Sequence, residues 1–386
     1  MPRALLILCV IASVAGVTAA SATPPGKNGP IAFRRYFDNR QTRGAVFTMR
    51  PDRSRVRQIT RPPQGIVETS ASATPPGKNG RIAFRRYFDA AKTTGAVFVV
   101  NADGKGEHQV THVPQGTSDD QPDWAPNGSR IIFTRCPPGG CSIWAVNPDG
   151  SHLQHVSGTC RGSQLPPACV EDSSPAYSPD GRQIAFTRAT GKVINDAVMS
   201  SNQIKSSALT IADTHGKHAR RLISFGPFAC DLDGAVWSPD GTRLAFTRHN
   251  SGFSKPHGGL AVFVVNVDGS GLRQLTPWSM SGGDHPDWSP DGKQILFRTE
   301  PIHDGPGGNY YTVRLDGTGL KQLTHFPSSR KLASASFSPD GKWIVFAKDG
   351  GVGGLADVFV MKTDGSGIRP LTRSPRWDSA PDWGSH

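Results

Sequence analysis

The chain has 386 residues, of which 19% are charged, with 43 Lys and Arg against 31 Asp and Glu and a formal net charge of +12. No apolar stripe at helical spacing runs longer than about two turns, which excludes a helical bundle or coiled coil. The 44 glycines and 32 prolines are spread along the chain, so they indicate many tight turns and exclude a low-complexity, disordered chain.

At the N-terminus, Pro2-Arg3 gives a small basic start, Ala4 to Val17 is apolar, and Ala20-Ser21-Ala22 offers an A-x-A cleavage site. This pattern predicts an export signal over residues 1–22 and a mature chain starting at Thr23. The apolar run is too short for a comfortable membrane span, so no span is expected after cleavage. An uncleaved anchor is the alternative. Cys9 follows the bulky Leu8, which argues against a lipoprotein site.

From there one phrase returns about every 50 residues, the mark of a repeat architecture. Its clearest copy is Pro286-Asp287-Trp288-Ser289-Pro290-Asp291-Gly292-Lys293-Gln294-Ile295-Leu296-Phe297, and its turn glycines are Gly26, Gly77, Gly128, Gly181, Gly241, Gly292 and Gly341. Pro presets φ and Gly accepts φ > 0, so each copy is read as a tight β-hairpin. The first two copies are nearly one text: Ala22 to Asp38 and Ala73 to Asp89 differ only at Pro30 versus Arg81. An apolar strand follows each turn, such as Ile31-Ala32-Phe33 or Ile344-Val345-Phe346. After a loop of variable length comes an alternating strand such as Val262-Phe263-Val264-Val265. Next is an Asp-Gly turn (Asp103-Gly104, Asp149-Gly150, Asp268-Gly269, Asp316-Gly317, Asp364-Gly365). The unit closes on a strand ending in Leu-Thr or a variant.

Four antiparallel strands with short turns make a propeller blade, which buries its two apolar faces only against neighbouring blades. The phrase x-x-P-x-W-S-P-D-G-K-x-I-A-F, then D-G, then L-T, resembles the TolB-like (WD40-like repeat) β-propeller family over nearly all of residues 23–386. That family includes periplasmic TolB and the propeller domains of prolyl oligopeptidases. The expected fold is all-β: one domain over 23–386, a seven-bladed propeller of four-stranded antiparallel blades. The mature chain starts inside the hairpin phrase and ends on Ser379-Ala380-Pro381-Asp382-Trp383, a first strand with nothing after it. Pairing of that C-terminal strand with the N-terminal blade is expected to close the ring. Six blades is the alternative, because Ser70-Ala71-Ser72-Ala73 lacks the aromatic found at Trp124, Tyr177, Trp237, Trp288, Phe337 and Trp383.

In such blades the first and third turns share one face of the disc. The second loops and the inter-blade crossings share the other, and there the chain varies in length: Ala189 to Ser207, His249 to Gly259, Glu300 to Asn309. Insertions collect at binding faces, so a partner is expected on the long-loop face. Cys136 and Cys141 sit in one such loop, and Cys160 and Cys169 bracket a crossing. In an exported protein these cysteines read as disulfides, with Cys230 lacking an assigned mate.

Chemistry-bearing motifs are sparse. No G-x-S-x-G elbow, H-E-x-x-H or phosphate loop occurs, which removes the peptidase activity of the oligopeptidase relatives from the expectation. The Asp-Gly phrases lack the full EF-hand pattern and are read as hairpin turns. One polar feature recurs: Asp120, Asp233 and Asp284 lie four residues before the aromatic of the innermost strand, and Asp172 and Asp378 five before. These carboxylates, with His285 beside them, either ring the channel mouth and hold a divalent cation or basic segment, or cap their own crossing turns. His249, His257 and His303 share the face without ligand spacing.

The reading is therefore an exported, monomeric, non-catalytic propeller that needs no cofactor and binds a protein or cell-envelope polysaccharide. Export makes nucleic acid implausible despite the basic charge. A metal-dependent propeller enzyme, a carbohydrate lyase or hydrolase, is the alternative, since some TolB-like propellers are lyases using a channel metal.

Overall fold

The computed structural model describes residues 28–37, 44–52, 54–62, 68–73, 81–89, 93–101, 105–138, 140–159, 169–191, 204–225, 233–250, 259–280, 282–299, 308–327, 332–349, 356–372 and 377–385. For some strand residues, among them 68–73, 282–285 and 377–385, the backbone alone is described.

Strands β1 (Asn28–Tyr36), β2 (Gly44–Met49) and β3 (Arg57–Gln58) are followed by β4 (Glu68–Ala73), β5 (Arg81–Tyr87), β6 (Gly95–Asn101) and β7 (His108–Gln109). Next come β8 (Ser118–Trp124), β9 (Ile131–Cys136), β10 (Ser142–Val146) and β11 (Gln154–Ser157). Then follow β12 (Cys169–Tyr177), β13 (Gln183–Gly191), β14 (Ile204–Asp213) and β15 (Arg220–Phe225). After these lie β16 (Asp233–Trp237), β17 (Arg243–Asn250), β18 (Gly259–Asn266), β19 (Arg273–Gln274) and a short 3₁₀ turn, Trp278–Met280. The chain continues with β20 (Gly282–Trp288), β21 (Gln294–Thr299), β22 (Tyr310–Arg314) and β23 (Lys321–Gln322). It ends with β24 (Leu332–Phe337), β25 (Trp343–Asp349), β26 (Ala356–Lys362), β27 (Arg369–Pro370) and β28 (Trp377–Ser385).

β12–β15, β16–β19, β20–β23 and β24–β27 each form a four-stranded antiparallel meander in sequence order. β4–β7 and β8–β11 are two further such runs, joined by one parallel pair, Gly95 opposite Ser118. β1–β3 is completed from the far end of the chain. β28 lies antiparallel on β1, with Trp383 opposite Ile31 and Trp377 opposite Tyr36. The aromatic-poor strand β4 still pairs with β5, Ala73 opposite Ile82.

Each recurrent residue of the repeat has a local task. In the hairpin at 289–294, Ser289 Oγ donates to Asp291 (2.7 Å) and accepts from the Gln294 amide (2.9 Å), while Gly292 takes φ 69°. The hairpins at 178–183, 238–243 and 338–343 repeat this pattern. At the Asp-Gly turn, glycine is required twice over. Gly365 has φ +89°, and a Cβ there would come 2.5 Å from the Leu323 carbonyl of the preceding sheet. The closing Thr offsets the shortness of the outer strand: Oγ1 of Thr60, Thr111, Thr276, Thr324 and Thr372 accepts the Val46, Val97, Val262, Tyr310 and Val358 amides at 2.9–3.0 Å. Those amides would otherwise be buried without an acceptor.

Other recurrent groups join neighbours. The carboxylates of Asp123 and Asp287, one residue before the innermost aromatic, accept the Tyr177 and Phe337 amides of the next sheet at 2.8 Å. Trp237 and Trp288 donate their indole N–H to Ala176 and Val236 carbonyls of the preceding sheet at 3.1 Å. On the outer rim, Arg273 and Lys321 donate to the Asp316 and Asp364 carbonyls one sheet on (3.1 and 2.9 Å). Arg369 continues the series across the seam to Pro51 (3.4 Å). The seven large core clusters each span two neighbouring runs, as Ile31, Phe33 and Phe47 do with Val345, Val358 and Val360. At roughly 1.5–3 kcal/mol per buried Phe or Val, this packing between runs is the main stabilising term.

Candidate functional site

The second strand of each run ends, and the third begins, at the end of the molecule opposite the Asp-Gly turns. The long segments 192–203, 251–258 and 300–307 connect there by topology and lie outside the described residues.

The apolar strand that follows each hairpin continues here as Phe-x-Arg or Phe-x-Lys, a signal the sequence carried and the reading above did not use. Arg35 stacks over Phe47 (4.6 Å), Arg86 over Phe98 (4.4 Å), Arg135 over Trp144 (4.9 Å) and Arg188 over Phe186 (5.1 Å). Arg248 and Lys348 stack over Phe263 and Phe359 (5.4 and 4.2 Å). Strand register sets an acid opposite four of these cations: Asp378 to Arg35, Glu68 to Arg86, Asp119 to Arg135, Asp172 to Arg188. Arg135 grips Asp119 through two bonds of 2.6 and 2.7 Å. Arg188 holds Asp172 at 2.8 and 2.7 Å, and Ser157 of the neighbouring sheet donates its hydroxyl to the same carboxylate. Burial pushes the Asp119 carboxyl up despite the Arg135 bonds, while the bonds to Asp172 raise the Arg188 pKa against burial.

The five recurrent carboxylates therefore fall into two registers. Asp172 and Asp378 face the stacked arginine position. Asp120, Asp233 and Asp284 face the residue before it, namely Thr134, Thr247 and Arg298. A one-residue offset on a strand is a change of face. Asp120 forms an ion pair with Arg85 of the neighbouring run and accepts the Gln121 amide (2.7 Å), so Asp120 and Asp172 are balanced by two different arginines. The side chains of Asp233, Asp284, His285 and Asp378 lie outside the described residues. Among the described residues, no three His, Cys, Asp or Glu side chains come together as a metal site.

Cys136 and Cys141 are joined by a disulfide that ties the end of β9 to the start of β10. Cys160, Cys230 and the Cys169 side chain lie outside the described residues. Beside the bridge, Glu171 is buried. Desolvation, opposed by a hydrogen bond from the Cys141 amide and reinforced by Asp172, pushes its pKa up to about 7. A raised carboxyl pKa favours the protonated folded state, so its stabilising share is full below the ordinary value and lost as pH rises through about 7. Glu171→Gln should therefore gain up to about 3 kcal/mol over the native chain near pH 8, at about 1.36 kcal/mol per pKa unit, and lose that gain towards pH 4. Urea unfolding at both pH values checks this. A difference independent of pH would contradict it.

Once the recurrent residues are accounted for, the remaining buried charges stand out. The position before each stacked cation is Thr134, Thr187, Thr247 or Ala347 in four runs, but Arg34 and Arg85 in the duplicated first two. Arg34 lies over the Tyr36 ring (4.5 Å) and Arg85 over the Tyr87 ring (4.2 Å), and the two tyrosines pack together. Burial lowers the Arg34 pKa, and the nearby Arg85 charge lowers it further against the pull of Tyr36. Burial likewise pushes Tyr87 up to about 12. Gly44 and Gly95 leave room for this stacking. A Cβ on them would meet Tyr36 and Tyr87 ring atoms at 2.9 and 3.0 Å.

No family model matches the chain. Over 215 residues it is 27% identical to the uncharacterized peptidase YuxL of Bacillus subtilis, covering 47% of this chain and 30% of that one. Over 127 residues it is 28% identical to the Tol-Pal system protein TolB of Anaeromyxobacter dehalogenans, covering 30% of this chain and 27% of the relative. The matched stretch thus spans less than a third of either relative. Among solved structures, an oligogalacturonate lyase in complex with manganese superposes with a TM-score of 0.58 at 15% identity, over 91% of this chain and 87% of that one. TolB from Acinetobacter baumannii superposes with a TM-score of 0.50 at 16% identity, over 83% of each chain. The molecule is a β-propeller. Within that fold, its repeat and its relatives make it a TolB-like propeller.

Proposed function

We propose that the chain is an exported, monomeric, non-catalytic propeller of seven blades, spanning 23–386 behind a cleaved signal, that binds a protein or cell-envelope polysaccharide on its long-loop face. The carrying observation is a division of labour. The recurrent polar residues described above form hydrogen bonds within or between blades, whereas the long segments and the non-repeating buried charges gather at the other end. Seven blades are supported by seven four-strand runs, with β28 counted alongside β1–β3. Export is supported by the pattern of residues 1–22 and by the Cys136–Cys141 bridge, which suits an oxidising compartment. Among the described residues, no helix is long and apolar enough to cross a membrane. The net charge of +12 favours an acidic partner.

A calorimetric comparison of dextran sulfate, polyglutamate and neutral dextran at fixed ionic strength tests this reading and separates a saccharide-like from a peptide-like partner. Replacing 192–203 and 251–258 by short Gly-Ser linkers should weaken binding of the preferred polymer by about tenfold or more, roughly 1.4 kcal/mol. Lys293→Ala with Lys342→Ala, on the short-turn face, should leave it unchanged. Equal binding of all three polymers, or loss only in the lysine variant, would refute the proposal. The metal-dependent reading rests on the fold shared with the manganese-bound lyase. Cleavage of an acidic polysaccharide on adding manganese would favour it.

A further inference from the structure

We propose that Arg34, Tyr36 and Tyr87, between the first two runs, form a binding site for a single carboxylate group of a ligand. The inference deepens the reading above by naming the chemistry recognised at the long-loop end.

The chain contains its own precedent. The phrase Phe-Arg-Arg-Tyr-Phe-Asp occurs at 33–38 and again at 84–89. In the second copy, Arg85 stacks on Tyr87 and binds the Asp120 carboxylate, carried by the innermost strand of the next run. In the first copy, Arg34 stacks on Tyr36 in the same way. Its face of β1 packs against the next run, as Ala32 and Val46 do against Ile82 and Phe84. The residue of that run in the register of Asp120 is Thr69: Asp120 lies opposite Thr134, and Thr69 lies opposite Arg85. The arginine–tyrosine module is thus present twice in the sequence, while the carboxylate at this register is supplied once.

A second observation points the same way. Tyr36 is 1% exposed and its hydroxyl, among the described residues, has no hydrogen-bond partner. A buried donor left so costs free energy, and such groups in native proteins call for an explanation. A carboxylate accepting from this hydroxyl and from a guanidinium satisfies it, and it relieves the repulsion between the neighbouring Arg34 and Arg85 charges. The cluster reaches solvent at Asp120, whose side chain is 18% exposed.

The test is thermal unfolding at pH 7 in sodium acetate against sodium chloride of equal ionic strength. Acetate should raise the melting temperature of the native chain by a few degrees more than chloride does. Tyr36→Phe should abolish the acetate-specific rise while keeping the salt-free melting temperature equal or higher, because the hydroxyl it removes is otherwise unsatisfied. Thr69→Asp should place the missing carboxylate in the chain itself, raising the melting temperature in chloride and removing the response to acetate. No acetate-specific rise in the native chain, or an undiminished rise in both variants, overturns the proposal. Polyglutamate separates a partner's side-chain carboxylates from a free small acid: a partner-borne group predicts weaker polyglutamate binding in Tyr36→Phe. Loop-dependent polymer binding that persists without any acetate response would leave the binding-face reading standing and this site refuted.

Discussion

Cutting the chain before Trp377 is expected to cost roughly 5 kcal/mol or more and to give a protein that melts far lower or aggregates. β28 contributes six cross-strand pairs to β1, and its backbone hydrogen bonds are worth about 1 kcal/mol each. Its removal also leaves β1 as an unpaired edge, a template for association between chains. The strand approaches β24, β25 and β26 on one side and β4 on the other, so the loss falls at the seam of the ring. Differential scanning calorimetry with light scattering reads both effects. An unchanged melting temperature would mean that β28 does not close the molecule.

Asp172→Ala is expected to destabilise by about 3–5 kcal/mol, the range for removing one partner of a buried ion pair. Asp172 is 0% exposed and balances Arg188 through two bonds, with the Ser157 hydroxyl on the same carboxylate. The variant leaves a half-buried guanidinium facing an apolar gap between two blades. Adding Arg188→Met should recover most of the loss, because an apolar pair of similar volume escapes the desolvation penalty. A cycle of chemical denaturation on the two single variants and the double checks this. Equal and additive losses would show that the pair does not act as a unit.

The repeat phrase made the hairpins, the Asp-Gly turns and the closing strand legible in sequence, because each rests on local rules: proline and glycine dihedrals, Asp capping Ser or Thr, and alternation of apolar residues. The spacing of the acids was legible too, but its consequence was not. Asp120 and Asp172 differ by one residue relative to their aromatics, and only pairing register turns that offset into two different arginine partners. The Phe-x-Arg signal stood in six repeats, yet its meaning depends on rings from neighbouring strands that lie far away in sequence. Asp123 and Asp287 were hidden inside the hairpin phrase, and their role as inter-blade acceptors appears only when the next blade is in place. The near-identical first two copies read as a duplication, whereas in three dimensions they set two arginine–tyrosine pairs side by side.

The most direct test of the binding-face account is a hydrogen–deuterium exchange footprint of the protein with its preferred acidic polymer. The account predicts protection on binding at 192–203, 251–258 and 300–307 and around Arg34 to Phe37, with no change at the hairpin turns 290–293 and 340–342. Protection confined to those hairpin turns and to the Asp-Gly turns would contradict it.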